Sequence, residues 1–500
     1  MSENSLPQNL RGVHIHFVGI KGTGMAALVE ILFHNGAIIT GSDVSERFYT
    51  DQIIEKLGIK ALPFDEKNIT DNIQFVIYSS AYKLDKNPDL IQAVKKNVPC
   101  LLYTQALGSY SSKAYSCGIC GVHGKTSTTG LTGTILKELD LPSQILAGSI
   151  INSFGNTCTW TSPLVSNLKN CEEKKYFVAE TCEYQRHFMS FCPQKIVLTS
   201  VESDHQDYYP TYEDIRDAFV DYICKLPENG ELIYCADDDG AVETANIAFA
   251  KRPDIKMIPY GQKAEGDFHL EFLGVNDEKN SFSISLLGRL FLKVPGKHEV
   301  LDACAAAALA CRLLVCDGKD PQNYLSKIKL GLEKFSGGKR RSEIVGRFTN
   351  KNGASVVVVD DYGHHPTAIK TTLEGFREFY KGRKIIVDFM SHTYSRTQAL
   401  LSEFASCFSA ADCVVLHKIY ASARENIDDF NINGRTLFEE MKKYNKNVYY
   451  FEEILDAKQF VLELLERSVG ETNPDGYLFV TMGAGDNWKL GKALLEVKND

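Results

Sequence analysis

Three groups of residues in this sequence join phosphate-, metal- or carboxylate-binding side chains to the ends of short apolar runs. The first is Gly121-Val122-His123-Gly124-Lys125-Thr126-Ser127, which follows Tyr115 to Cys120 and precedes a helix-period segment carrying Leu131, Ile135, Leu136 and Leu139. Such a turn offers backbone N–H groups to phosphate oxygens, a lysine to the terminal phosphate of ATP and a threonine hydroxyl to Mg2+. The spacing departs from GxxxxGK(S/T), because Ile119 stands at the first glycine position. A helix-capping turn without a ligand is the plain alternative.

The second group is Gly19, Gly22 and Gly24, between an apolar run ending at Val18 and a helical segment starting near Met25. Glycines let backbone approach an anion, and the following helix points its positive end at it. Asp43 stands where a dinucleotide fold places its ribose acid, which keeps a nicotinamide-dependent oxidoreductase in view. The spacing is GxxGxG and not the dinucleotide GxGxxG, so a diphosphate site and a purely structural turn both remain open.

The third group gathers polar residues at further strand ends. Tyr176 to Ala179 leads into Glu180, and Ile196 to Leu198 leads through Thr199 and Ser200 to Asp204-His205. Val356 to Val359 leads into Asp360-Asp361-Tyr362-Gly363-His364-His365-Pro366, and Ile385 to Val387 leads to His392 and Arg396. Hard cations take oxygen ligands with an occasional imidazole, and ligands of open parallel sheets collect at the carboxyl ends of strands. Arg396 can fork onto a carboxylate and the histidines can bind or move protons. Two histidines before a proline can equally be turn chemistry.

These groups need a scaffold of parallel sheets with helices on their faces. Short β-branched runs alternate with longer helix-period segments, so the expected fold class is α/β. The chain has 500 residues, which suggests about three domains. The polar break Gly108 to Lys113 and the charged, glycine-bearing stretch Phe335 to Arg341 give boundaries of 1–112, 113–336 and 337–500. Hydrophobic residues make up 44% and charged residues 24%, enough to bury several cores and to exclude a disordered or collagen-like chain. The net charge of -9, without a basic cluster, argues against a nucleic-acid partner. No apolar run is long enough to span a bilayer, and Met1 to Gly12 lacks the pattern of a secretory leader, so no membrane association and a cytoplasmic location are expected. The 14 cysteines fall mostly in apolar stretches, and the lone pair Cys117 and Cys120 reads as strand rather than as a zinc site.

Taken in order, HFVGIKGTGM, GVHGKTSTT, VPGKH, DDYGHHP, SHTYSRT and TMGAGD resemble the motifs of the Mur ligases of peptidoglycan synthesis, from about His14 to Trp488. The resemblance implies a Rossmann-like N-terminal domain for the UDP moiety, a central P-loop-type ATPase domain, and a Rossmann-like C-terminal domain that helps to bind the amino acid. It implies ATP-dependent joining of L-alanine to the lactyl carboxylate of UDP-N-acetylmuramate through an acyl phosphate, by a monomer or homodimer. The alternative within the family attaches a recycled tripeptide. Carried over by motif, Gly19, Gly22, Gly24, Ser42, Asp43, Ser79 and Ser80 would hold the UDP part. Gly121, Val122, His123, Gly124, Lys125, Thr126 and Ser127, with His298, Asp302 and Arg341, would hold ATP. Thr126, Glu180 and His205 would bind Mg2+, with Lys125, Glu180 and His205 catalytic. Tyr362, His364, His392 and Arg396 would line the muramyl and alanine end.

Several positions depart from the family pattern, Thr181, Cys182 and Tyr184 after Glu180 among them. Asp302 replaces an asparagine, adding charge and removing an amide donor, and Ser200 replaces another asparagine. Thr393 replaces an arginine, and Gln185 replaces an acid two residues after the retained Glu183. A nucleotide-binding protein without catalysis would fit these departures.

Overall fold

The computed structural model describes residues 5–167, 174–206, 208–421, 425 and 427–499, so the first four residues of the stretch read above as lacking a leader lie outside it. Three large sheets follow one another along the chain. The first is wholly parallel, in the order Ile38–Ser42, His14–Val18, Phe75–Tyr78, Cys100–Leu102. The second has seven strands, in the order Lys256–Tyr260, Glu231–Cys235, Lys195–Leu198, Tyr115–Cys120, Tyr176–Glu180, Ser143–Ile151, Thr157–Thr161. Only its last strand runs antiparallel. The C-terminal sheet has the order Glu343–Thr349, Ser355–Asp361, Gly476–Met482, Arg383–Phe389, Cys413–Leu416, Val448–Tyr450, with its first strand antiparallel.

Continuous apolar runs form the central strands because helices cover both faces, leaving Ile119, Val178, Val197 and Leu198 wholly buried. Helix Lys125–Glu138 is enclosed too: a Cβ on Gly331 of helix Leu325–Lys334 would come 2.6 Å from the Cα of Ile135. That packing fixes the helix start, and therefore Lys125, against the sheet edge.

Two features differ from the sequence-based expectation. Residues 270–292 form a small antiparallel meander, Leu270–Asn276, Lys279–Ile284 and Gly288–Leu292. Asp277 and Glu278 at its first turn both have φ of 51°, the backbone of a two-residue hairpin loop. The polar break also begins later than expected, because helix Tyr103–Ser111 runs through Gly108. Ser111 and Ser112 return their hydroxyls to the Gly108 and Ser109 carbonyls at 2.8 and 2.9 Å, which lets serines end a helix instead of opening a loop.

The N-terminal sheet docks on the central one through helix Thr23–His34. Thr159 donates to buried Glu30 at 3.0 Å, and Asn35 donates to Gln144 at 3.2 Å. Cys117 and Cys120 are buried strand residues with free thiols, and burial pushes the Cys117 thiol up to about 12. No helix among the described residues is long and apolar enough to cross a membrane.

Candidate active site

The turn after strand Tyr115–Cys120 exists because two glycines take backbone conformations that other residues avoid. Gly121 has φ of 138°, and a Cβ there would lie 2.1 Å from Thr199 Oγ1; Gly124 caps the helix at φ of 79°. The turn is then fastened to the neighbouring strand end. Val122 N–H donates to the Ser200 carbonyl at 3.0 Å and His123 N–H to Ser200 Oγ at 2.9 Å. The serine hydroxyl is thus the acceptor that supports the turn. It also means that the donors left for an anion narrow to the first turn of the helix, where N–H groups have no intrahelical partner.

Lys125, the first residue of that helix, reaches back over the turn. Its Nζ donates to the Gly121 carbonyl at 2.5 Å and lies 3.0 Å from Glu183 Oε2. Burial works against the lysine charge, but Glu183 outweighs it and holds the ammonium above its usual range. Burial likewise opposes the Glu183 charge, and Lys125 followed by His205 keeps that carboxyl below its usual value. Glu183 is 2% exposed, and its second neighbour is His205, whose Nε2 lies 3.4 Å from Oε1. Thr126 Oγ1 donates to Glu180 Oε2 at 2.9 Å, and Gly148 N–H donates to the same oxygen at 2.7 Å. Lys125, Thr126, Glu180 and His205, picked from separate strand ends, are therefore gathered at one edge.

Glu183 is the residue that the sequence reading undervalued. Its signal was there, three positions beyond Glu180 on the same strand end, but the spacing gave no reason to prefer it as a hub.

On the far side of the turn, helix Lys297–Cys316 brings His298, Glu299 and Asp302. Ser127 Oγ donates to Glu299 Oε1 at 2.8 Å and Thr128 Oγ1 to Asp302 Oδ1 at 3.1 Å. Burial pushes Glu299 up to about 7, and burial with the neighbouring Glu299 pushes Asp302 well above the carboxylate range. Burial and Glu299 therefore work against the charge that Asp302 would bring, and a protonated carboxyl can donate a hydrogen bond as an amide does. Burial lowers His298 to about 4, which favours the neutral ring, and its Nδ1 has no hydrogen-bond partner among the described residues.

The C-terminal sheet points the same carboxyl edge at this site. Arg396 Nη2 donates to Asp204 Oδ1 at 2.8 Å, an ion pair between lobes with both side chains nearly buried. Burial opposes the Asp204 charge, but Arg396 and His205 hold its carboxyl far below the usual range. Thr393 sits at φ of 67° and its hydroxyl accepts the Arg396 N–H, so this departure from the family pattern caps the short helix that aims Arg396. The His364 and His392 rings stand edge to face with centroids 6.4 Å apart, and burial lowers His392 to about 4 and His364 well below its usual value. Arg341 stacks over the Tyr362 ring at 5.3 Å.

The N-terminal turn is built differently. The Ser42 carbonyl accepts the Gly19 and Ile20 N–H groups at 2.8 and 3.2 Å, and a Cβ on Gly19 would meet Tyr82 at 2.6 Å. Asp43 stands at the expected strand end, yet Oδ2 accepts the Lys21 N–H at 2.7 Å and Oδ1 accepts the Val44 N–H at 2.8 Å and the Tyr82 hydroxyl at 3.2 Å. It clamps the turn from inside. Ser79 is half-buried beside Gly19, Ser80 is exposed, and Gly24 backs onto Tyr103.

The donor set fits a magnesium nucleotide. Two glycines with positive φ shape the turn beside a helix start, a lysine and a threonine hydroxyl flank it, and a carboxylate and an imidazole stand opposite, the oxygen-rich company that Mg2+ takes.

Comparison with known proteins agrees along the whole chain. Family models described as Mur ligase family catalytic domain, Mur ligase middle domain, and Mur ligase glutamate ligase domain match residues 14–115, 119–310 and 340–485. A UDP-N-acetylmuramate--L-alanine ligase of Treponema pallidum is 46% identical over 497 residues, covering 99% of this chain and 98% of that protein. One from Borreliella burgdorferi is 37% identical, covering 95% and 97%. Among solved structures, the UDP-N-acetylmuramate-alanine ligase of Thermotoga maritima superposes with a TM-score of 0.72 at 24% identity, covering 97% of this chain and 99% of that one. A murein peptide ligase of Psychrobacter arcticus reaches 0.64 at 20% identity, covering 98% and 99%. The chain belongs to the Mur ligase family.

Proposed function

We propose that this chain is an ATP-dependent ligase that joins L-alanine to the lactyl carboxylate of UDP-N-acetylmuramate in peptidoglycan precursor synthesis. The observation that carries the reading is the single connected edge Thr126–Glu180, Lys125–Glu183–His205, Asp204–Arg396, in which a phosphate-type turn meets an arginine from the next lobe. The full-length relatives that carry the alanine ligase name support alanine over a tripeptide.

A carboxylate is a poor acyl donor because oxide is a very poor leaving group. In the proposed reaction a carboxylate oxygen attacks the γ-phosphorus of ATP, the bond to the β-phosphate oxygen breaks, and ADP departs. The alanine nitrogen then attacks the acyl carbon, and phosphate leaves with the former carboxylate oxygen as the amine loses a proton. Lys125 and the start of its helix would neutralise the terminal phosphate, with Glu183 holding the ammonium in place. Thr126, Glu180 and His205 would hold Mg2+, which supplies charge neutralisation at the phosphates when bound. Gly121, Gly124, Ser127, His298, Asp302 and Arg341 would surround the nucleotide, with Val122 and His123 bracing the turn through Ser200. Gly19, Gly22, Gly24, Ser42, Ser79 and Ser80 would face the UDP part, with Asp43 shaping the turn. Tyr362, His364, His392 and Arg396 would line the muramyl and alanine end.

The same proposal includes a cytoplasmic location and lobes at 1–112, 113–336 and 337–500, a division supported by each large sheet closing within one segment. ADP release with UDP-N-acetylmuramate, varying only the amino acid, tests the function. Alanine should support turnover well above glycine, serine or a tripeptide, and turnover with the tripeptide alone would replace this reading.

A further inference from the structure

Beside the site just described, three side chains converge from three segments. His123 comes from the phosphate-type turn, Glu202 from the loop after strand Lys195–Leu198, and His365 from the loop after strand Ser355–Asp361. One ligand atom of each lies within 4.8 Å of the other two. His365 is 6% exposed, and neither of its ring nitrogens has a hydrogen-bond partner among the described residues. A buried imidazole with both nitrogens unpaired is costly and calls for an explanation. Its Nδ1 faces Glu202 Oε1 at 3.6 Å, too far for a hydrogen bond and open enough for an intervening atom. His123 Nε2 meets that same oxygen, and the two imidazoles stand 5.4 Å apart between centroids. The other Glu202 oxygen accepts the Thr367 hydroxyl at 3.0 Å, which orients the carboxylate as outer contacts orient metal ligands.

We infer that His123, Glu202 and His365 form a site for a borderline divalent transition metal, of the zinc or cobalt class, which clasps the phosphate-type turn to the C-terminal lobe. Two imidazoles and one carboxylate, with a fourth position left for water, are the ligands such ions select, whereas Mg2+ prefers oxygen. Metal–ligand bonds of about 2.0–2.2 Å place ligand atoms roughly 3.3 Å apart, so the triad closes by side-chain adjustment alone. The site is separate from the Thr126, Glu180 and His205 set and stands whether or not the ligase reading does.

The test uses the full-length protein stripped of metal and titrated with Co2+ in excess Mg2+. One equivalent should bind with the visible bands of a four- or five-coordinate centre, and Zn2+ should displace it. His365→Ala and Glu202→Gln should each abolish the bands or weaken binding at least about tenfold. His205→Ala and Cys182→Ser, the latter at an exposed thiol, should retain them. Circular dichroism and melting show that each variant folds, with His365→Gln read in place of a His365→Ala that does not. The absence of one-equivalent binding overturns the inference. So do bands that survive in the folded His365 variant, and bands lost in His205→Ala or Cys182→Ser.

Discussion

Two turns of this molecule share one sequence pattern, strand, glycines, lysine and helix, and handle charge in opposite ways. In the N-terminal turn the lysine is internal. Lys21 Nζ is bound by the carbonyls of Val44 and Glu46 at 2.9 and 2.8 Å and by Asp51 at 3.3 Å, while helix Thr23–His34 starts from Gly22 with an ordinary φ of -58°. In the central turn both bounding glycines have positive φ, and the lysine opens the helix itself, balanced by an acid that also meets His205. The first arrangement suits a group that is held unchanged. The second suits an anion whose charge shifts during reaction, because its cation sits at the helix end and is tuned by a neighbour.

The largest effect expected from this contrast is on the two lysines. Lys125→Ala should lower kcat/KM for ADP release at least about a hundredfold, as losing one oriented charge at a reacting phosphate does. Lys21→Ala should instead lower the melting temperature and raise KM for the UDP substrate with kcat little changed. Equal losses of kcat in steady-state kinetics would erase the distinction.

The N-terminal turn is also carried by a helix whose docking is pH-sensitive. Burial pushes Glu30 up to about 7. A carboxyl raised above its unfolded value contributes its full stability below about pH 4.5 and loses it as pH rises through 7. Glu30→Gln should therefore melt like the wild type at pH 4.5 and be more stable at pH 8, by on the order of 3 kcal/mol. Parallel melting curves at the two pH values would remove this account of the interface.

Glycine substitutions separate the turns at a smaller scale. A Cβ on Gly124 would lie 2.4 Å from Asp302 Oδ1 at φ of 79°, whereas one on Gly24 meets only the tip of the Tyr103 ring at 2.9 Å, in helical backbone. Gly124→Ala should cost about 1–3 kcal/mol of stability and weaken ATP binding, while Gly24→Ala should cost less, both read from unfolding and nucleotide titration. The smallest effect is expected at His205, where alanine should raise the magnesium needed for half-maximal activity several-fold. An unchanged magnesium titration would take His205 out of the site.

What the sequence made legible follows from which forces act locally. Strands His14–Val18, Phe75–Tyr78 and Tyr115–Cys120 have the bounds their apolar runs suggest, because burial on both faces leaves a continuous signal. Strand direction leaves no such signal, so apolar runs alone do not distinguish the meander at 270–292 or the antiparallel edge strands. Its Asn276-Asp277-Glu278-Lys279 turn was the available cue. In the site, residue types and strand ends identified Lys125, Thr126, Glu180 and His205, but partners remote in sequence did not show. Glu183 becomes a hub only when strand Tyr176–Glu180 pairs with Tyr115–Cys120, and the Asp302 carboxyl is pushed up only by burial beside Glu299.

The central claim is that a carboxylate from the UDP substrate takes up the terminal phosphoryl of ATP at Lys125 before the amine arrives. The direct measurement is the fate of 18O placed in the lactyl carboxylate of UDP-N-acetylmuramate during turnover with ATP and alanine. Recovery of one labelled oxygen in the released phosphate is the predicted result. Phosphate without label, with peptide bond formation intact, would contradict it.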